Sequence, residues 1–218
     1  MLCTSTESAF LPLLTTATLK TDVTIPKETG GGKGNGGGEE QSEDGEKTII
    51  LDGGVVFKGG KELCRVDDDG AMAIFFMNDT PSEYSFTVPL GQNAKPSVML
   101  IWVTRSIKAT EYNGKVKFDV TFSASGKIGS KGGIKEDDKK AAEKVAEPAE
   151  RELKRKIESS MIPIAEKGCD VCGLENTLRR CCNRFYRENM DRVEEIIAES
   201  EIEVNVNIDI FSQGIGGA

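Results

Sequence analysis

The sequence contains no histidine. That absence removes the commonest general base, the commonest zinc ligand and the usual pH switch. A Ser-His-Asp or Cys-His mechanism is closed to this chain acting alone, and a metal would have to rest on cysteine or carboxylate ligands. Aromatic residues are sparse, at 6% with a single tryptophan. No run approaches the roughly 20 apolar residues of a membrane-spanning helix. Basic residues are outnumbered, 28 Lys and Arg against 36 Asp and Glu, for a formal net charge of -8. That balance argues against a nucleic-acid partner, because phosphate neutralisation needs clustered Lys and Arg. It argues equally against docking by charge onto anionic lipid. Met1 to Leu14 lacks the basic and apolar regions of a signal peptide, and Cys3 follows Leu2 with no export segment before it. As it stands the chain is expected to be soluble, with any lipid anchor elsewhere.

What is present suits a globular protein. The 218 residues are 38% hydrophobic and 29% charged, enough for one domain or two small ones with a real core. Residues 11 to 26 are mixed and Thr-rich. Gly30 to Gly38 is then nearly all glycine, followed by Glu39, Glu40, Glu43, Asp44 and Glu46. Such a stretch cannot bury enough apolar surface to order itself. The expected organisation is an N-terminal segment with a flexible glycine and acidic linker over 1–46, and a folded domain over 47–218. Gly32, Gly34 and Gly37 spell G-x-G-x-x-G, but a dinucleotide fingerprint must leave a buried strand and open a helix. Acidic coil surrounds this one, and Lys33 lacks the Ser or Thr of a P-loop.

From Ile49 the pattern changes. Ile49-Ile50-Leu51 and Val55-Val56-Phe57 read as short strands, Gly59-Gly60 as a turn, and Lys61 to Val66 as the returning strand. Ala71 to Met77 fits helix or strand. Tyr84, Phe86, Val88 and Leu90 alternate with more polar positions, as do Val116, Phe118, Val120 and Phe122. Val98 to Val103 is apolar on both faces and predicts a central strand with Trp102 packed in the core, a ligand platform being the lesser reading. Beyond Gly133 the period becomes helical. Ala142, Val145, Ala149, Leu153, Ile157, Met161 and Ile164 form one apolar stripe, with Pro148 and Pro163 predicting a kink or a late start and Gly168 a stop. Glu136–Lys140, Glu147–Arg151, Glu150–Lys154 and Glu152–Lys156 are spaced for i,i+4 pairing. A second amphipathic segment, Leu174 to Ala198, is expected to break once, near Glu188 to Asp191. Val204, Val206, Ile208 and Ile210 alternate with Glu203, Asn205, Asn207 and Asp209 as a closing strand. Strands, then helices, then a strand that must rejoin the sheet define an α+β fold, with a mostly antiparallel sheet against a long helix and shorter ones.

Four segments in this order resemble the C-terminal domain of the Ger(x)C spore germination lipoproteins, the C subunit of nutrient germinant receptors. Gly54-Val55-Val56-Phe57-Lys58 with Lys61-Glu62-Leu63 resembles that family's G-x-A-V-F-K … K-L-V-G hairpin. Glu150-Arg151-Glu152-Leu153-Lys154-Arg155-Lys156-Ile157 resembles its long charged helix. Asp170-Val171-Cys172-Gly173-Leu174 is similar to its D-I-F-G-F turn, and Glu203 to Ile210 with Gly214 to its V-x-V-x-V-x-I…G final strand. The likeness spans about Lys47 to Gly214. Cys172 replaces an aromatic residue, and Arg192 to Ile197 lacks the family's usual tryptophan, which marks a divergent member. The resemblance implies a non-enzymatic scaffold domain that meets integral-membrane receptor subunits of the A and B type. It implies a location at the outer face of the spore inner membrane, held by N-terminal lipidation of a longer parent. It also implies that this chain is a shortened form or an excised fragment.

Chemistry, if any, would lie with the cysteines. Cys169 and Cys172 form a C-x-x-C, and Cys181 and Cys182 follow. Four thiols can hold zinc. However, a helix over 172 to 181 would set the pairs about 13 Å apart, and Asp170 between the first two opposes a redox thiolate. Core-filling cysteines are the favoured reading, and no cofactor is expected. Cys3 and Cys64 have no evident partner. Asp67-Asp68-Asp69-Gly70 reads as an acidic turn rather than a calcium loop. Asn78-Asp79-Thr80 is a glycosylation sequon of little weight without an export signal, and Glu194, Glu195, Glu199, Glu201 and Glu203 read as a solvated face. Two alternatives to the scaffold stand: direct binding of a small nutrient, and a thiol or metal module at Cys169 to Cys182.

Overall fold

The computed structural model describes residues 2–3, 8–18, 47–78, 83–91 and 94–211. The linker with Gly32, Gly34 and Gly37 lies outside the described residues, as does Gly214. Among the described residues two four-stranded sheets form. The first is an antiparallel meander of β1 (Leu2–Cys3), β2 (Ser8–Thr18), β3 (Lys47–Lys58) and β4 (Lys61–Val66). The second contains β5 (Tyr84–Thr87), β6 (Ser97–Tyr112), β7 (Lys115–Ser130) and β8 (Glu201–Ile210). Its first three strands are antiparallel and β8 returns parallel to β7. The fold is α+β with mostly antiparallel sheets, as the order of patterns predicts.

The two short strands expected at Ile49–Leu51 and Val55–Phe57 are one continuous strand, β3, which passes Gly53 at φ 74°. Its partner on one side is β2, in register from Ser8 opposite Lys58 to Thr18 opposite Lys47. The pairing therefore crosses the division expected at residue 46. Strand β2 is hard to read from sequence because a register shift between Pro12 and Leu14 interrupts its alternation. On the other side the two-residue Gly59-Gly60 turn, with both φ values positive at 56° and 73°, leads into β4. That is the conformation tight hairpins favour.

Helix α1 (Asp68–Asn78) follows β4. The acidic run begins it: Asp67 Oδ1 accepts from Gly70 N at 2.9 Å as an N-cap. Ala71 to Met77 carries no helical stripe because α1 is buried on nearly every side, chiefly against α2 and β3. Phe75 meets Phe10 of the first sheet edge-on, with centroids 5.7 Å apart. Phe76, next in sequence, meets Tyr84 and Phe122 of the second sheet at 5.3 and 5.8 Å.

The long helix α2 (Asp138–Ala165) starts earlier than its stripe indicates, at the Asp137 N-cap, whose side chain accepts from Lys140 N. It runs through Pro148 and Pro163. Pro148 is only half-buried, so the carbonyl freed by its missing N–H lies near solvent. The whole predicted stripe, Ala142 to Ile164, is buried, and it lies chiefly on β8 and α1. Gly168, at φ 64°, ends the helix and donates to Ala165 O at 2.7 Å.

The segment from Leu174 breaks twice. Helices α3 (Leu174–Cys181) and α4 (Asn183–Glu188) are parted at Cys182, and a 3-10 turn at Met190–Arg192 precedes α5 (Val193–Glu199). The first break has no Gly or Pro to announce it. Cys182 sits at φ -124°, ψ 51°, with its Sγ 3.4 Å from Ala109 O.

Only one of the four i,i+4 pairs forms as spaced, Glu147 with Arg151. Lys156 reaches Asp69 of α1, Glu152 takes Arg155, Lys154 takes Glu158, and Glu136 takes Lys144. Glu150 Oε1 instead accepts from the backbone N–H of Ile208 at 2.9 Å, on the free edge of β8.

Candidate functional site

The thiols occupy two places. Cys169 and Cys172 are buried in the turn before α3, and Cys169 Sγ lies 3.9 Å from Phe57 O. Cys181 is exposed and Cys182 half-buried at the far end of α3. The intervening helix is unbroken. Among the described residues no group of three or more His, Cys, Asp or Glu is placed to hold a metal ion. Burial pushes the Cys169 and Cys182 thiols up and Cys172 well up, which keeps them protonated and poorly nucleophilic.

Asp170, between the first two thiols, has a structural task. Its Oδ1 accepts from Cys172 N at 3.2 Å and Leu174 N at 2.8 Å, and its Oδ2 from Glu175 N at 2.9 Å. Gly173 takes φ 75°, a left-handed conformation that glycine adopts without strain. The Asp-x-x-Gly-Leu turn is thus a side-chain cap on α3. Burial still raises the Asp170 pKa, against the pull of those three donors. Lys58, the last residue of the first hairpin motif, fastens the hairpin to the C-terminal half. Its Nζ pairs with Glu194 at 2.8 Å and bonds Lys167 O at 3.2 Å. Glu195 and Glu203 of the expected solvated face likewise pair, with Arg192 and Lys117. Asn78 of the sequon bonds Ile74 O and Val171 O through its amide, joining α1 to the same turn.

Trp102 is not in the core. It is 73% exposed. A register shift between Leu100 and Trp102 admits an extra residue, so both Leu100 and Val103 face inward while Trp102 faces out. The sequence carried a sign of this. Thr104, Ser106, Lys108 and Thr110 are polar at even positions, and that phase carried backward puts residue 102 on the wet face. Trp102 stands in cross-strand register with Ser125 of β7 and, through it, Asp209 of β8. Thr104, Ser123 and Asn207 form the next row. These residues line an open hollow of about 510 Å³, to which Glu150 of α2 also contributes. No helix of the described residues is long and apolar enough to cross a membrane.

The geometry defines an α+β domain whose motif residues cap, clamp and brace. A family model described as spore germination B3/GerAC like, C-terminal, matches residues 52–214. The chain belongs to that family. It is similar to the crystal structure of the GerBC protein, at 16% identity and a TM-score of 0.66. The similarity covers 78% of this chain and 54% of that one, so this chain spans about half the length of the solved protein. No curated protein matches.

Proposed function

We propose that this chain is the interaction and scaffold domain of a spore germinant-receptor C subunit, acting by docking with no bond made or broken. The observation that carries the reading is the family match over residues 52–214. The site geometry supports it: the family-like motifs at Lys58, Asp170 and Gly173 hold structure together, and the buried thiols are held protonated. Exposed apolar side chains at Leu11, Leu14 and Ile50 on the first sheet, and at Trp102 and Tyr112 on the second, provide area for a partner to cover. By this reading the partners are the integral-membrane A- and B-type subunits. The site of action is the outer face of the spore inner membrane, reached through the lipid anchor of a longer parent. The test is co-purification of tagged A- and B-type subunits with the full-length parent, with and without residues 47–218. Loss of both subunits and of nutrient-triggered germination on deletion is expected. Unchanged co-purification with unchanged germination would overturn the reading.

A further inference from the structure

We infer that the hollow at Trp102 is a docking subsite for an arginine side chain presented by a partner protein. The inference rests on the docking reading above and names the chemistry of one contact. Trp102 is 73% exposed, and its neighbours on that sheet face, Thr104, Ser123, Ser125 and Asn207, are small and polar. Indole is the best aromatic partner for a cation. Two carboxylates, Asp209 and Glu150, line the same hollow. Asp209 forms no ion pair among the described residues, and Glu150 has only the Ile208 N–H on one oxygen. Most nearby acids of α2 and β8 are matched with a Lys or Arg, including Glu147, Glu152, Glu158 and Glu203. Two carboxylates without a cationic partner among the described residues, lining one hollow with the single tryptophan, are complementary to a cation.

The spacing selects arginine. Trp102 and Asp209 lie two strands apart in one row, about 10 Å at the ~4.8 Å strand spacing. Ser125, short and polar, forms the floor between them. A guanidinium can stack flat on the indole while its N–H groups point along the sheet toward a carboxylate. The compact ammonium of a free amino acid offers no such plane. A saccharide would stack on the indole but would leave the two charges unmatched.

Because Trp102 is the only tryptophan in the chain, its fluorescence reports the site directly. The probe is a capped Gly-Ser-Arg-Ser-Gly peptide, compared with its citrulline counterpart, free L-alanine and a neutral tetrasaccharide. The arginine peptide is expected to quench or shift the emission saturably at millimolar concentration. The citrulline peptide should bind at least tenfold more weakly. Asp209→Asn keeps the indole and should weaken the arginine peptide about tenfold. Glu188→Gln, which removes a remote carboxylate, should leave it unchanged. A silent emission, equal binding of citrulline and arginine peptides, an unaffected Asp209→Asn variant, or preference for L-alanine or the saccharide each overturns the proposal. Trp102→Ala and Asp209→Asn in the full-length parent separate it from the broader reading. Intact co-purification in these variants, with loss only on deletion of the domain, removes the subsite and leaves docking in place.

Discussion

Asp170 is the residue where local chemistry and burial pull in opposite directions. Three backbone donors hold its carboxylate, yet desolvation raises its pKa. Removing the acceptor by Asp170→Ala leaves buried N–H groups unpaired, and a loss of about 2–3 kcal/mol is expected in urea denaturation. The pH response is distinctive. Above the ordinary aspartate range and below its raised folded value, the folded chain keeps a proton that the unfolded chain has released. Stability from this group is therefore fullest at low pH and falls as pH rises through that window. Asp170→Asn retains one acceptor oxygen and cannot titrate. Relative to wild type, the Asn variant should gain ground as pH rises from about 4. A gap between the two that widens against Asn as pH rises would refute this. The residue's meaning was half legible: Asp170 and Gly173 mark a turn in the sequence, but only the fold shows which three N–H groups the carboxylate meets.

At the scale of elements, β2 decides whether the first sheet is complete. Phe10 is buried and packs on Phe75 of α1. A Cβ on Gly54 would stand 2.2 and 2.5 Å from two Phe10 ring atoms. Gly54→Ala should therefore push the ring out and destabilise the chain by about 1–3 kcal/mol, the usual range for overpacking. Hydrogen exchange should quicken first in residues 8–18, and unchanged protection there would show that the ring relocates freely. This pairing was not legible. Leu11 to Leu14 has no clean period because of the bulge, and the chain between β2 and β3 is long. Helix α1 was ambiguous for the reverse reason: a helix enclosed by α2 and the first sheet needs no polar face.

Across the whole molecule, Lys58 ties the first hairpin to the loop after α2 and to α5. Its side chain is 27% exposed and that of Glu194 48%, so the ion pair is partly screened. Lys58→Met should lower global stability by only about 1 kcal/mol. Its clearer signature would be faster hydrogen exchange at Lys167 and Gly168. Equal exchange in both proteins would mean that the contact carries no coupling between the halves. The same architecture leaves one face of the second sheet open beyond α2, which is where Trp102 and Asp209 stand.

The sequence by itself determined the alternating strands, the stripe of α2, its stop at Gly168, the tight Gly59-Gly60 hairpin and the α+β class. These depend on near neighbours, whose spacing is written in the chain. Tertiary structure decided the rest. It chose the bulge that turns both Leu100 and Val103 inward on either side of an exposed Trp102, the place of β2 in the sheet, the parallel return of β8, the break at Cys182, and the partners of Glu150 and Lys156. Each of these follows from contacts between residues far apart in sequence, where one bulge reverses a face and a distant backbone N–H displaces a neighbouring lysine.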